Sequence, residues 1–135
     1  MIYGIGNDVV EVARVGEVFR RHGERFLERI LGEEERRIHA ARAARSGARG
    51  IAFLATRFAA KEAVAKALGL GMRYPMTWRS VEIVPARSGR PQALVHGDLA
   101  LLVAERRLRL HVSVSDLESL AFATAIAETI EPGPA

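Results

Sequence analysis

An alanine-rich stretch without proline or internal glycine runs from Ile51 to Leu68 and is bounded by Gly50 and Gly69. Alanine has the highest helix propensity, and glycine commonly ends a helix. The stretch therefore predicts a long helix, against which the rest of this 135-residue chain has to pack. We interpret Ser46 to Gly50 as the break before the helix, because serine and glycine cluster there.

The remaining segments give the order of the other elements. Apolar periodicity predicts strands at 2–10, 78–84, 92–95, 110–114 and 120–126, and helices at about 12–21, 26–30, 33–45 and 99–106. Residues 88–91 have the composition of a hairpin turn, and the last two strands are expected to pair around 115–119. We predict the α+β class, with an antiparallel sheet packed with the long helix. Residues 1–130 are expected to form a single domain, and residues 131–135 a flexible tail.

Composition excludes several classes of protein. No run of about 18 apolar residues is present, so a membrane-spanning chain is excluded. The N-terminus lacks the pattern of a signal peptide, and we expect a cytoplasmic protein. The chain has no cysteine, and its four histidines stand too far apart for a zinc site. A bound metal ion would need carboxylate ligands.

Charge favours an acidic partner or a phosphorylated ligand, since the net charge is +4. Lys61 and Lys66 are the only lysines among 20 basic residues. Arginine and lysine differ in shape and hydration, so one of these two positions is expected to need a compact ammonium group.

The first strand carries a group of residues with chemical potential. Gly4 and Gly6 lie within it, and glycine inside a strand often marks a bulge or the close approach of a ligand. Asp8 lies where the strand gives way to a helix. An aspartate at that place either caps the helix or remains free to bind a ligand.

The long helix carries the second group. Residues four apart share a helix face, so Glu62 and Lys66 form one stripe and Arg57 and Lys61 an adjacent one. The group is either a solvated face with an ion pair contributing about 0.3 kcal/mol, or part of a phosphate site. In the second case Asp8 and Glu62 hold Mg²⁺, and the three cations neutralise the phosphates.

Two stretches resemble the signature motifs of the holo-[acyl-carrier-protein] synthase family. They are residues 5–15, IGNDVVEVARV, and residues 57–69, RFAAKEAVAKALG. Weaker matches follow at 89–91 and 111–115, so the resemblance covers nearly the whole chain. It implies the 4′-phosphopantetheinyl transferase fold and transfer of the 4′-phosphopantetheine arm of coenzyme A to a serine of an acyl carrier protein. The motifs do not distinguish a fatty-acid carrier from a polyketide carrier.

The resemblance also implies roles for the catalytic residues. Asp8 and Glu62 would bind Mg²⁺ together with the pyrophosphate of the coenzyme. Lys66 would stabilise the charge that grows on the departing 3′,5′-ADP. The proton acceptor for the carrier serine is either Glu62 or a water held by the metal ion.

Coenzyme contacts follow from the same resemblance. His111 is placed at the cofactor phosphates, although a histidine at the start of a strand is otherwise a structural residue. Arg57, and also Arg45 or Arg49, are expected at the 3′-phosphate. The remaining expected coenzyme-binding residues are Lys61, Lys66, Gly89 and Pro91.

Partners are implied in the same way. The family docks the acidic helix of the carrier protein on the first basic helix, where Arg14 matches the arginine of the motif. Arg21 and Arg25 either join it or belong to an ordinary solvated face. Short members of the family are homotrimers with active sites between protomers. Asp116 stands where many members carry histidine and Leu120 where many carry tyrosine, so those contacts cannot be carried over.

Three other functions compete with this one. Another Mg²⁺-dependent phosphoryl transferase would need a glycine-rich phosphate loop or a second acidic cluster, and the chain has neither. A nucleic-acid-binding domain would interleave aromatic with basic residues, whereas aromatics are only 6% here. We therefore expect no nucleic acid as a partner. A homologue that binds coenzyme A without transfer would not need Asp8, Glu62 and Lys66 together.

Overall fold

A computed structural model describes residues 1–131 and confirms the α+β class with an antiparallel sheet packed with a long helix. Residues 132–135, most of the predicted tail, lie outside the described residues. The elements in chain order are β1 (Ile2–Glu11), α1 (Val12–His22), α2 (Glu24–Ile30), α3 (Glu33–Arg45), α4 (Gly47–Leu68), β2 (Val81–Pro85), β3 (Pro91–Val95), α5 (Gly97–Glu105), β4 (Leu108–Asp116) and β5 (Leu120–Thr129).

The strands form two separate antiparallel sheets. The larger sheet has the order β1-β5-β4, and β2 and β3 form a hairpin. The turn at 88–91 and the pairing of the last two strands are confirmed. Asp8 pairs with Ala123, so the first and last strands of the chain lie side by side.

Helix α4 lies directly on β1 at two glycines. A Cβ atom at Gly4 would stand 2.0 Å from the Ala67 carbonyl oxygen, and one at Gly6 would stand 2.2 Å from the Ala63 carbonyl oxygen. The register between β1 and β5 also shifts between Ile2 and Gly4. The predicted bulge is therefore present, but the backbone that approaches the glycines belongs to α4 and not to a ligand.

Helix α4 is buried on most of its surface. One cluster packs its C-terminal half, including Ala63 and Val64, against the sheet and the hairpin. A second cluster packs Phe53 and Leu54 against α1 and α2. Burial of each large apolar side chain stabilises the fold by about 1.5–3 kcal/mol. Neither this 22-residue helix nor any other helix within residues 1–131 is long and apolar enough to cross a membrane.

The predicted break at Ser46 to Gly50 is wrong beyond its first residue. Ser46 is the N-cap of α4, and its Oγ accepts a hydrogen bond from the backbone N–H of Arg49 at 3.4 Å. Gly50 lies inside the helix, where a Cβ would come within 2.9 Å of the Ala43 Cβ. The glycine permits close packing of α3 on α4, so it is a packing residue and not a helix breaker.

Two further boundaries differ from the prediction. The strand expected from residue 78 begins at Val81, and residues 81–84 are all buried, because both α3 and α4 contact this strand. Trp78 precedes the strand and stacks on Phe58, with ring centroids 4.7 Å apart. Helix α5 begins at Gly97, two residues before the predicted start, and Asp98 lies in its first turn.

Gly6→Ala is expected to lower the free energy of unfolding by about 2 kcal/mol, because its Cβ would overlap the Ala63 carbonyl oxygen and overpacking of this kind is costly. Gly47→Ala is the matched control, since an added Cβ there meets no atom within 4 Å and alanine favours a helix. Urea unfolding monitored by circular dichroism measures both variants. A Gly6→Ala protein as stable as wild type would contradict the close contact.

Candidate active site

Asp8 lies within β1 and does not cap a helix. The N-cap of α1 is Glu11, and Asp8 pairs with Ala123 of β5. The Lys66 ammonium group donates to the Asn7 carbonyl oxygen at 2.9 Å and to Asp8 Oδ1 at 3.2 Å. The capping alternative is therefore wrong, and the aspartate faces α4.

Glu62 lies on α4 one helical turn before Lys66, near enough to Asp8 for the two charges to interact. Burial raises the pKa of the Glu62 carboxyl, the negative charge of Asp8 raises it further, and Lys66 opposes both effects. Two carboxylates are thus held near one another, with a single half-exposed ammonium group beside them. A divalent cation would relieve the repulsion between these carboxylates.

The two carboxylates suit a hard cation that keeps part of its water shell. No group of three or more histidine, aspartate or glutamate side chains within residues 1–131 is arranged to hold a metal ion. Mg²⁺ is commonly bound by one or two carboxylates and completes its octahedron with water and substrate phosphate. Asp8 and Glu62 fit that mode of binding, whereas a cage made only of protein ligands is absent from the described residues.

A second region, which we call the arginine cavity, has a volume of about 880 Å³ and lies between α3, the first half of α4 and the strands β2–β4. It brings together Arg57, Gly89 and Pro91, which were predicted to bind the coenzyme, as well as Arg45 and Arg49. The remaining lining residues are Glu34, Arg37, Ile38, Ala41, Arg42, Ala52, Phe53, Thr56, Pro85, Val114 and Asp116.

Arg57 is the buried arginine of this cavity. Its Nε donates to the Ile83 carbonyl oxygen at 2.9 Å and its Nη1 to Thr56 Oγ1 at 3.1 Å. The guanidinium carbon lies 4.0 Å from the centroid of the Phe53 ring. Burial, and next the charge of Arg42, lower the pKa of Arg57 to about 10. It stays charged at neutral pH, and its remaining donors are available to an anion.

Arg57 and Glu62 lie on different sides of α4. Five residues along a helix correspond to a rotation of about 140°. Asp8 approaches the Glu62 and Lys66 stripe from β1, while the arginine cavity lies towards α3 and β2. One chain therefore does not bring its carboxylates and its arginine cavity to the same face of the helix.

His111 is separate from both regions. Its Nε2 lies 3.0 Å from Glu128 Oε1, and this contact lowers the pKa of the Glu128 carboxyl. The neighbouring residues Leu110 and Val112 pack against the core. Since side chains alternate along a strand, His111 lies on the outer face of the three-stranded sheet.

Lys61 does not occupy the place that the sequence predicted. Its side chain is 0% exposed, and its three N–H donors have three protein acceptors. These are the carbonyl oxygens of Ile30 and Trp78 at 2.5 and 2.8 Å, and Glu35 Oε1 at 2.6 Å. This placement disagrees with a role at cofactor phosphates, because no donor is left for them.

Sequence reasoning missed the partners of Lys61. Glu35 is fully buried, and its carboxylate also accepts from the backbone N–H groups of Gly32 and Ile83. Glu82 accepts from the Glu35 N–H and lies 2.9 Å from His96 Nε2. Glu35 lies in the acidic first turn of the helix predicted at 33–45. The local signal that distinguishes Glu35 from Glu33 and Glu34 is its position three residues after Gly32, which is the spacing of a capping box.

The basic face of α1 borders an apolar groove. Arg14 and Arg21 of α1 are exposed, as is Arg25 at the start of α2. Two adjoining cavities of about 490 and 670 Å³ share the side chains of Val18 and Phe26 as well as Phe58 of α4. Arg14 and Leu120 line the larger cavity, and His22, Arg25, Arg29, Ile30 and Trp78 complete the smaller one. The sequence indicated the arginines but not the groove.

Comparison with known proteins gives consistent matches over almost the whole chain. The model of the 4′-phosphopantetheinyl transferase superfamily matches residues 4–125. A holo-[acyl-carrier-protein] synthase of Cupriavidus taiwanensis is 57% identical over 128 residues, which are 95% of this chain and 91% of that protein.

Two solved structures have the same fold. The crystal structure of the holo-[acyl-carrier-protein] synthase from Neisseria meningitidis is 35% identical, with a TM-score of 0.86, and the match covers 96% of this chain and 100% of that one. The enzyme from Bacillus anthracis in complex with CoA (3′,5′-ADP) is 31% identical, with a TM-score of 0.80 and coverage of 96% and 99%.

The two lysines of α4 are expected to differ sharply in their effect on stability. Lys61→Met leaves Glu35 buried without its cation and should lower the free energy of unfolding by about 3–5 kcal/mol. Lys66→Met removes a half-exposed ion pair and should change it by less than about 1 kcal/mol. Chemical denaturation of both variants measures the difference. Equal losses would show that the Lys61 ion pair is not a structural element.

Proposed function

The chain belongs to the 4′-phosphopantetheinyl transferase superfamily, and we infer that its activity is that of a holo-[acyl-carrier-protein] synthase. It transfers the 4′-phosphopantetheine group of coenzyme A to a serine of apo acyl carrier protein. The serine oxygen forms a new bond to the phosphorus that bears the pantetheine arm. The bond from that phosphorus to the bridging oxygen breaks, and 3′,5′-ADP leaves while the serine gives up its proton.

The observation that carries the proposal is the convergence of Asp8, Glu62 and Lys66 from two elements distant in sequence. Lys66 Nζ is fixed by the Asn7 carbonyl oxygen and by Asp8, so its charge has a defined position before substrate arrives. A preorganised cation lowers the barrier where negative charge develops, and here that charge develops on the departing 3′,5′-ADP. Positioning and charge stabilisation are the main tasks of a protein in phosphoryl transfer.

We propose Mg²⁺ as the metal ion, held by Asp8 and Glu62. When bound, Mg²⁺ would neutralise oxygens of the pyrophosphate and align them for displacement. Support comes from the environment of Glu62, where burial, and next the negative charge of Asp8, raise the pKa of the carboxyl group. A cation would offset the repulsion between Asp8 and Glu62. Because these two carboxylates would supply only part of the coordination sphere, phosphate oxygens could supply other ligands.

The arginine cavity is proposed to hold the 3′-phosphate of coenzyme A. Arg57 presents a buried guanidinium, and Arg45 and Arg49 line the open side. Guanidinium groups bind phosphate oxygens through paired hydrogen bonds. Gly89 and Pro91 form the wall opposite the helices. Lys61 has no place in this set, because its donors are occupied within the protein.

We propose that the working form is a homotrimer whose active sites lie between protomers. The carboxylates and the arginine cavity of one chain lie on different sides of α4, so one bound coenzyme would use halves from two chains. The outer face of the large sheet also leaves apolar side chains uncovered, with Ile5 65% and Phe122 38% exposed. A protomer packed there would cover this face and bring His111 to the coenzyme of its neighbour.

The carrier protein is proposed to dock on the basic face of α1. Arg14 and Arg21 of α1, together with Arg25 of the adjoining α2, are complementary to an acidic helix, and such contacts mainly speed association and weaken with salt. Glu17 lies on the same helix and pairs with Arg20 and Arg21, so an acidic partner competes with an internal carboxylate. We also propose that the protein works in the cytoplasm.

Intact-mass analysis of an apo acyl carrier protein, incubated with the enzyme, coenzyme A and Mg²⁺, is the direct test of transfer. We expect the mass of one phosphopantetheine group to be gained, and expect the gain to be lost with EDTA or in Glu62→Gln. Glu33→Gln, an exposed glutamate of α3, is the control and should stay active. Coenzyme A binding without any gain across several carriers would favour a binding domain.

The same assay should reveal competition between protons and the metal ion. As pH falls through the raised pKa of Glu62, the carboxylate gains a proton and loses the charge that binds the cation. The Mg²⁺ concentration for half-maximal rate should therefore rise on acidification. A constant requirement at all pH values would contradict the assignment of Glu62 as a metal ligand.

Mixing two inactive variants tests the shared active site. Glu62→Gln lacks a carboxylate, and the double variant Arg45→Glu with Arg49→Glu lacks the exposed arginines of the cavity. In a head-to-tail ring, about a quarter of the interfaces in a random equal mixture join two intact halves. Co-expression should thus restore about a quarter of wild-type transfer. No recovery, in mixed oligomers shown to form, would place both halves within one chain.

A further inference from the structure

The arginine cavity contains a carboxylate that its phosphate-binding role does not explain. Five arginines line it, at positions 37, 42, 45, 49 and 57, and two acidic residues line it as well. Glu34 is accounted for, since its Oε1 accepts from Arg37 at 2.5 Å. Asp116 has no side-chain hydrogen bond and no ion pair among residues 1–131, although it lines a cavity rich in guanidinium groups.

The cavity has two chemically different walls. All five arginines come from α3 and α4, whereas Asp116 comes from the end of β4. The strand side also contributes Val114, Pro85 and Pro91, which offer apolar surface suited to a flat ring. Phosphate groups are attracted to the helical wall, so the base of a nucleotide is left to face the strand wall.

A carboxylate accepts hydrogen bonds and repels phosphate, which restricts what Asp116 can face. The adenosine end of coenzyme A offers two kinds of donor, the ribose 2′-hydroxyl and the exocyclic amino group of adenine. The 2′-hydroxyl is adjacent to the 3′-phosphate, where a carboxylate about 4 Å away would meet like charge. The amino group lies at the far end of the base, away from the phosphates.

We propose that Asp116 accepts a hydrogen bond from the exocyclic amino group of adenine and selects the base of the coenzyme. This inference rests on the proposed transferase function and adds a specificity-determining residue to it. Aspartate pairs with an amino group because it can only accept hydrogen bonds when ionised. An oxo group at the same position of the base would place two acceptors against each other.

A coenzyme A analogue with hypoxanthine in place of adenine tests this contact, because it replaces the amino group by an oxo group. Wild-type enzyme should prefer coenzyme A by about tenfold in kcat/KM, with the difference in KM, as for a single base-reading contact. Asp116→Asn should reduce the preference to within about twofold, because an amide can donate as well as accept. Asp116→Ala should raise KM for coenzyme A and also lose the preference.

Glu118→Gln is the control, since Glu118 is exposed in the loop that follows β4 and does not line the cavity; it should keep the wild-type preference. An unchanged preference in Asp116→Asn would overturn the proposal, as would a lower KM for coenzyme A in Asp116→Ala, which would indicate simple repulsion of phosphate. These outcomes leave the transferase function intact. Only a wild-type enzyme unable to use coenzyme A at all would remove that function.

Discussion

The contact between Gly4, Gly6 and helix α4 is the constraint on which the site depends. Carbonyl oxygens of the helix stand where a side chain on either glycine would begin. This separation brings the backbone of β1 close enough for Lys66 to reach the Asn7 carbonyl oxygen and Asp8. A wider gap would leave Asp8 beyond the reach of Lys66 and would separate it from Glu62.

A buried ion pair fixes the other side of the same helix. Lys61 and Glu35 join α4 to α3, and Glu35 also binds the N–H of Ile83 in β2. Such pairs contribute little net stability compared with apolar residues, because desolvation offsets attraction. Here the ion pair links the two helices that carry the arginines of the cavity, at one defined point of contact.

Residues whose relative positions follow from local spacing could be predicted from the sequence. Residues whose roles depend on contacts with other elements could not. Glu62 and Lys66 lie one turn apart on a helix, and the periodicity of α4 therefore placed them correctly relative to each other. Lys61 was misassigned because helical spacing shows which residues share a face, but not whether that face meets solvent or Glu35. Gly50 was misread as a helix breaker for a related reason: its role depends on Ala43, which packs against it from another helix. The apolar groove beside α1 needs Phe58 and Trp78, whose proximity no local pattern records.

The pairing of β1 with β5 has a consequence for the timing of folding. The two strands are far apart in the sequence, since Ile2 pairs with Glu128, and Thr129 donates its N–H to the Met1 carbonyl oxygen. On the ribosome, β1 emerges well before β5, and contacts of such long sequence separation form slowly. Asp8 lies in β1, whose only strand neighbour among the described residues is β5. The strand that carries Asp8 therefore stays unpaired in the nascent chain until β5 has been synthesised.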